Sequence, residues 1–263
     1  MIQQGCVPGW VPTGGGGGQT PPDPCTILRN KAKKMDSAFI KSKADSLLAT
    51  IPNLSTAPNE RGFAIMKKFS VNPQNVHDTT ITSYYSGNVQ TGSDSNIVIQ
   101  VTYPYLTLLT ATLHTHPPFG YSAHSAKDVY ELIGEQIQNS QFEGTFVAAA
   151  NGSQYALTVT DYAAAATFYS TMNQNLDGAK WNETSDIGKA FLKAQKYFEE
   201  KFKGNPNQVN LAYEMAMAAV LSQFNTGVTL NKKDAAGNFK PLIIKTSQDP
   251  SKPKRTIYIQ ECI

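Results

Sequence analysis

The sequence predicts a mixed fold of helices and strands, an α/β or α+β sandwich with a helical extension toward its C-terminal end. Three observations predict it. Apolar residues at helical spacing come first, strand-like runs rich in threonine, isoleucine, valine and tyrosine follow, and helical patterns dominate after residue 161. With 263 residues, of which 40% are hydrophobic, the chain is long enough to bury a substantial core.

Residues 1–24 predict a flexible linker. They contain a single charged side chain, Asp23, together with a run of five glycines and several prolines. Such a segment buries too little apolar surface to offset the entropy lost when it becomes ordered. We therefore expect the folded domain to span residues 25–263, and we expect the chain to be part of a longer gene product.

The first half of the domain predicts one helix and then several strands. The helix is expected over 27–49, where Leu28, Ala32 and Met35 recur at spacings of four and three. Clusters of asparagine, glycine, serine and proline separate the strand-like runs that follow. These runs lie at 62–71, 78–87, 95–102 and 105–116.

The second half predicts a helix from Ser125 and then a hairpin around Asn151-Gly152, a dipeptide typical of two-residue turns. The remaining segments are helical at first and strand-like at the end. Helices are expected at 161–174, 185–202 and 209–224, and strands at 239–246 and 255–263. We divide the domain into a core of residues 58–160 and a helical and β extension of residues 161–263.

The composition argues against several classes of function. A net charge of +3 and a pI near 8.6 are too mild to indicate a nucleic-acid partner, and no apolar stretch is long enough to span a membrane. The cysteines, Cys6, Cys25 and Cys262, form no C-x-x-C pair, which argues against a cysteine-rich zinc site. A Cys25–Cys262 disulfide and three free thiols stay equally open, and the disulfide would favour an exported protein.

The stretch LHTHPPFGYSAHSAKD contains three of the four histidines of the chain. His114 and His116 lie two apart at the end of a predicted strand, so both imidazoles point to the same face and can reach one ion. With Asp128 and a water, they would complete a tetrahedral zinc site of the catalytic type. Ser125-x-x-Asp128 also predicts a helix capping box, and the two interpretations are compatible.

The order His114-Thr115-His116-Pro117, seven residues, then Ser125-Ala126-Lys127-Asp128 resembles the signature of the JAMM (MPN+) zinc metallopeptidase family. In that family a glutamate near the start of an early strand, commonly followed by a glycine, completes the signature. Here Glu60 opens the segment ERGFAI, and it is the only glutamate before Glu131. The resemblance covers mainly residues 58–160, and residues 161–263 show no pattern of the family.

The resemblance implies a cytidine-deaminase-like sandwich, in which helices flank a mixed sheet. It implies that His114, His116 and Asp128 bind Zn²⁺. It further implies that Glu60 acts as the general base and that Ser125 helps to stabilise the oxyanion. Members of the family cleave isopeptide bonds to ubiquitin-like proteins, so a peptide or protein substrate is expected.

The motif is compatible with three functions: a zinc peptidase or isopeptidase, a binding module without turnover, and a delivered toxin or effector domain with the same chemistry. The glycine-rich linker and the low charge suggest an exported bacterial protein. His124, just before Ser125, could contact substrate or serve as a further ligand, but a surface loop residue is expected. Phe119 and Tyr121, in the loop between the ligands, either line a substrate groove or anchor the loop.

Overall fold

The computed structural model describes residues 38–49, 59–72, 75–93, 96–118, 120–249 and 252–260. The predicted linker at 1–24, the three cysteines and Phe119 lie outside these residues, as does the first part of the helix predicted at 27–49.

The described residues form helices and strands in the following order along the chain. The helices are α1 (Ala38–Ala49), α2 (Ala126–Gln138), α3 (Tyr162–Tyr169), α4 (Met172–Asn175), α5 (Asp186–Lys201) and α6 (Gln208–Gln223). The strands are β1 (Arg61–Asn72), β2 (Asn75–Ser86), β3 (Gln90–Thr91), β4 (Thr107–His116), β5 (Gly144–Ala149), β6 (Gln154–Val159), β7 (Leu176–Asp177), β8 (Lys180–Trp181), β9 (Val228–Lys233), β10 (Phe239–Pro241), β11 (Ile244–Asp249) and β12 (Lys252–Gln260).

The main sheet has the strand order β10-β9-β6-β5-β4-β1-β2, and β3 adds a short pairing to β1. The β4–β5 pair is parallel and the other pairs are antiparallel. The chain is therefore an α+β protein with a mixed sheet and flanking helices, which confirms the predicted fold class. Strand β4 lies inside this sheet and ends at His116.

Apolar residues pack against both faces of the sheet, as the side chains that alternate along β1 show. Ala64 and Met66 belong to a large apolar cluster that includes residues of α2, α5 and α6. Phe63 and Ile65 belong to a smaller cluster on the opposite side, which includes Leu47 of α1. Successive strand residues point to opposite faces, so one strand contributes to both parts of the core.

The extension shares the larger cluster with the core of the domain. Phe198 of α5, Val220 of α6 and Tyr258 of β12 lie in the same cluster as Val129 of α2. Strands β11 and β12 form a separate two-stranded sheet. No helix in the described part of the chain is long and apolar enough to cross a membrane.

The prediction of a strand at 95–102 is wrong, because the described residues of this stretch, 96–102, pair with no strand. Strand β1 already has β2 and β4 as neighbours, and β3 pairs with its first two residues. The backbone of Gln100 instead exchanges two hydrogen bonds with the side chain of Gln90. Ile99 and Val101 still pack on the larger cluster, which accounts for the apolar pattern.

Other elements also differ from the prediction, and the strand expected at 239–246 is divided into β10 and β11, which belong to different sheets. The helix expected at 161–174 is divided into α3 and α4, with the chain turning at Ser170 and Thr171. Strand β9 was missed because its sequence, VTLNKK, is short and ends in polar residues. It extends the sheet beyond β6, and its Asn231 side chain donates to the carbonyl oxygen of Ala156.

Gly62 provides a test of the close pairing between β1 and β4. It lies opposite His114, and a Cβ there would lie 2.7 Å from the carbonyl oxygen of Leu113 and 2.9 Å from the Ile99 side chain. Because the carbonyl belongs to the ladder and cannot move freely, we expect Gly62→Ala to lower the free energy of unfolding by about 1–3 kcal/mol. Chemical denaturation measures this change.

The control is Gly120→Ala, where the added Cβ meets nothing closer than the Pro117 carbonyl oxygen at 3.9 Å. We expect this variant to keep the stability of the parent protein. Equal stability of the two variants would contradict the close approach of the strands at Gly62.

Candidate metal centre

Strand β4 places two imidazoles on one face of the sheet. His114 and His116 are both buried, and their Nε2 atoms lie 3.1 Å apart. Thr115, between them, points the other way, and its hydroxyl oxygen accepts a hydrogen bond from the backbone N–H of Arg61 at 3.0 Å. The period of two along a strand therefore converts the sequence H-T-H into a pair of adjacent nitrogen donors.

Helix α2 supplies a carboxylate to the same point. Asp128 Oδ1 lies 3.6 Å from His114 Nε2, and Asp128 Oδ2 lies 3.9 Å from His116 Nε2. One donor atom from each of the three residues lies within 4.8 Å of the others. The two histidines and the aspartate therefore form a group that can bind one metal ion.

The N-terminus of α2 fixes the position of this carboxylate. Ser125 is the N-cap, and its hydroxyl oxygen accepts a hydrogen bond from the backbone N–H of Asp128 at 3.3 Å. In return, Asp128 Oδ2 accepts one from the backbone N–H of Ser125 at 2.6 Å. The predicted capping box is confirmed, and the same aspartate faces the imidazoles, so the cap and the candidate ligand are one side chain.

The geometry and the donor types suit a transition metal ion. Ligands bound at 2.0–2.1 Å in a tetrahedron lie about 3.3 Å apart. The two Nε2 atoms lie 3.1 Å apart, and the contacts with the carboxylate are 3.6 Å to Oδ1 from His114 and 3.9 Å to Oδ2 from His116, so the distances lie on both sides of this separation. Two imidazole nitrogens and one carboxylate favour zinc, copper, iron or nickel over the alkaline-earth ions, which prefer oxygen ligands.

A second hydrogen bond orients His116. Its Nδ1 lies 2.9 Å from the backbone carbonyl oxygen of Tyr121. A carbonyl oxygen only accepts hydrogen bonds, so Nδ1 carries a proton, and in the neutral ring this tautomer leaves the lone pair on Nε2, the atom that faces the other donors. Ligating histidines in metalloproteins are commonly oriented by such a contact through the second ring nitrogen.

The protonation states also suit a metal ion. Burial lowers the pKa of His114 to about 4, although the Asp128 carboxylate opposes this shift. For Asp128, burial favours the neutral acid, but the imidazoles of His114, His124 and His116 and the Ser125 N–H outweigh it and hold the pKa at about 2. At neutral pH the imidazole of His114 is neutral and the carboxylate is ionised, the forms that bind metal ions.

Glu60 and Ser125, the other two residues of the signature, lie in the wall of the same cavity as the three donors. This cavity has a volume of about 570 Å³. Glu60 is 7% exposed and lies just before β1, two residues before Gly62, which pairs with His114. Its backbone N–H donates to the Ser93 carbonyl oxygen at 2.6 Å, and its carbonyl oxygen accepts from Gly92 at 2.8 Å.

Part of the cavity wall is apolar. The segment that was expected to be a strand contributes Ile97, Val98 and Ile99. Trp181 of β8 and Leu192 of α5 contribute to the wall as well. The cavity therefore extends from the metal ligands into the C-terminal extension, which the resemblance did not cover.

The expectation for His124 is wrong, because its side chain is fully buried rather than on the surface. The chain turns inward before α2, and His124 Nε2 donates to the carbonyl oxygen of Thr145 at 3.2 Å. Its ring lies edge-on to that of His114, with 6.1 Å between the centroids. Burial lowers its pKa to about 3, so this imidazole is neutral.

Tyr121 combines the two roles that the sequence left open. Its ring stacks on that of Tyr213 of α6, with 3.8 Å between the centroids, and it also lines the cavity. Sequence reasoning missed Tyr213 and Asn210, which contact the loop from α6. A tyrosine and an asparagine in an apolar helix carry no signal for a contact with a loop that is so distant in sequence.

The buried histidines make the stability of the metal-free protein depend on pH. Below pH 6.5 the unfolded chain takes up protons that the folded His114 and His124 do not bind until about pH 4 and about pH 3. The free energy of unfolding should therefore fall as the pH falls through this window. At pH 5.5 each histidine should account for about 1 kcal/mol of this loss.

The measurement is denaturation of chelator-treated protein between pH 7 and pH 5, compared with His124→Gln, which keeps a side-chain N–H for Thr145. We expect the variant to lose stability less steeply with falling pH. Equal slopes for the two proteins would contradict the burial of a neutral His124.

A scan against protein-family models and a search of curated proteins found no match for this chain. The residues of the site, their geometry and the motif in which they occur are therefore the grounds for its function.

Proposed function

We propose that this chain is a zinc-dependent hydrolase of the JAMM type, which cleaves peptide or isopeptide bonds. One observation supports it above the others. Residues from three separate parts of the motif, Glu60, the two histidines of β4 and the Ser125–Asp128 cap, line a single cavity. A chance occurrence of the motif would not require Glu60 to line the same cavity as the histidines.

Zinc is the ion that the donor set favours for hydrolysis. Structural zinc sites have four protein ligands, whereas catalytic sites have three and keep one position for water or substrate. His114, His116 and Asp128 make three. When bound there, zinc would supply a nucleophile near neutral pH, because it lowers the pKa of a bound water from 15.7 to about 7.

Glu60 is proposed as the general base. Hydrolysis of an amide requires a group that takes a proton from the attacking water and gives it to the leaving amine. Glu60 is the buried carboxylate in the cavity wall that is not among the three grouped donors. A site that only binds zinc needs no such base, so the position of Glu60 favours turnover over a binding module.

Ser125 is proposed to stabilise the charge that develops on the substrate carbonyl oxygen. Its hydroxyl oxygen accepts the hydrogen bond from Asp128, and this contact leaves the hydroxyl proton to be donated. Loss of one such donor typically lowers the rate about 10²–10³-fold. The capping role holds the hydroxyl at the cavity wall, beside the ligand carboxylate.

The cavity is consistent with a peptide or protein substrate. Its volume of about 570 Å³ lies within the range of small-molecule and cofactor sites, about 300–1,000 Å³, and its apolar residues can contact side chains on either side of the cleaved bond. We propose no sequence preference, because several different side chains would fit such a wall.

The test is a screen of peptide and isopeptide libraries with zinc-loaded protein, Glu60→Gln and His116→Ala. We expect Glu60→Gln to bind zinc as the parent does and to lower kcat at least about 10²-fold, because the amide cannot take up the proton. His116→Ala should lose both zinc and activity, and chelator-treated parent protein serves as the metal-free control.

Two results would count against the proposal. Undiminished hydrolysis by Glu60→Gln would remove this residue from the mechanism. Tight zinc binding by the parent without hydrolysis of any library member would favour the binding module instead.

A further inference from the structure

The loop of residues 117–124 joins the two halves of the candidate metal centre. It starts directly after the ligand His116 and ends directly before Ser125, which caps the helix that carries Asp128. This loop is therefore one of the elements that set how the ligands from β4 and α2 face each other.

Tyr213 of α6 contacts this loop in two ways. Its ring stacks on the ring of Tyr121, with 3.8 Å between the centroids and 10° between the planes. Its hydroxyl donates a hydrogen bond to the backbone carbonyl oxygen of His124 at 3.3 Å. Phe191 of α5 packs edge-on against the same tyrosine at 5.4 Å, and Tyr213 is only 7% exposed.

A third contact comes from the same face of α6. Asn210 lies three residues before Tyr213, and its Oδ1 accepts a hydrogen bond from the backbone N–H of Ser122 at 3.0 Å. The Ser122 hydroxyl oxygen accepts another from the Asn151 side chain at 2.7 Å. The loop is thus held at several points along its second half.

Each contact of Tyr213 reaches a group that orients a metal ligand. The stacked Tyr121 provides the carbonyl oxygen that accepts the proton of His116 Nδ1. The Tyr213 hydroxyl donates to the carbonyl oxygen of His124. The N–H of the same peptide group belongs to Ser125, and it donates to Asp128 Oδ2. The two ends of one peptide group are therefore bound by Tyr213 and by a candidate ligand, an arrangement in which hydrogen bonds strengthen each other.

We propose that Tyr213 is a positioning residue for the metal centre, which acts through the loop on His116 and on Asp128. The inference rests on the proposed zinc site. It assigns part of the ligand geometry to the C-terminal extension, to which the motif gives no role. Loss of a residue that orients ligands typically weakens metal binding or activity about 10–100-fold.

The alternative is that Tyr213 only fills the core. In that case its replacement would lower the stability of the fold but leave the metal affinity of the folded protein unchanged. Tyr197 of α5 offers a matched control, because its ring packs against Phe198 at 5.2 Å and Tyr258 at 4.9 Å instead of against the loop.

The experiment measures zinc affinity by competition with a chromophoric chelator, and the visible spectrum of the Co²⁺-substituted protein. The variants are Tyr213→Leu, Tyr213→Phe, Tyr121→Ala, the double variant Tyr121→Ala/Tyr213→Leu, and Tyr197→Leu as the control. Tyr121 is 37% exposed, so its truncation tests the stacked pair even if Tyr213→Leu does not fold. The variant keeps a backbone carbonyl at position 121 as a partner for His116 and loses only the stacked ring.

We expect Tyr213→Leu and Tyr121→Ala each to weaken zinc binding about 10–100-fold and to alter the Co²⁺ spectrum. The double variant should bind zinc as weakly as the single variant with the lower zinc affinity, and no more weakly, because both changes remove the stack of Tyr121 on Tyr213. Tyr213→Phe keeps the stack but loses the hydroxyl contact with His124, so its zinc affinity should lie between those of the parent and Tyr213→Leu. Tyr197→Leu should bind zinc as the parent does.

Parent-like affinity and an unchanged Co²⁺ spectrum in the folded Tyr213→Leu or Tyr121→Ala variants would overturn the proposal. An equal loss in Tyr197→Leu would overturn it too. These outcomes are separate from a failure of the proposed function, in which the parent protein itself would bind zinc weakly or would bind it without hydrolysis.

Discussion

The pairing of β4 between β1 and β5 is the constraint on which the candidate metal centre depends. Because side chains alternate along a strand, a shift of one residue in this register would turn both imidazoles to the opposite face. His114 pairs with Gly62 on one side and with Val147 on the other. Burial on both faces of the sheet makes such a shift costly, so the hydrophobic core fixes the direction of the ligands.

The same packing sets the charge state of the site. Removing His114 and His124 from water lowers their pKa values and favours their neutral forms, and the pKa of Asp128 is low enough to keep its carboxylate ionised although burial opposes the charge. Neither effect depends on a bound ion. The folded chain therefore has a neutral His114 imidazole and an ionised carboxylate side by side, and a divalent cation would supply the positive charge that this arrangement lacks.

Local patterns allowed the ligand group to be predicted from sequence, but contacts between segments that are distant in sequence could not be predicted. The H-T-H spacing and the Ser125 cap depend only on strand and helix periodicity, and the structure shows both. The segment at 96–102 has a strand-like composition but finds no free edge of β1, which no local pattern reveals. The contact of Tyr213 with the loop is equally invisible, because its sequence context is that of an ordinary apolar helix.

The most direct test of the central claim is X-ray absorption at the zinc edge of protein loaded with one equivalent of zinc. We expect a first shell of nitrogen and oxygen at about 2.0–2.1 Å with the outer-shell scattering of two imidazoles. This scattering should disappear in a variant that lacks His114 and His116. A sulfur shell at about 2.3 Å, or an unchanged spectrum in that variant, would contradict the assignment of the ion to these residues.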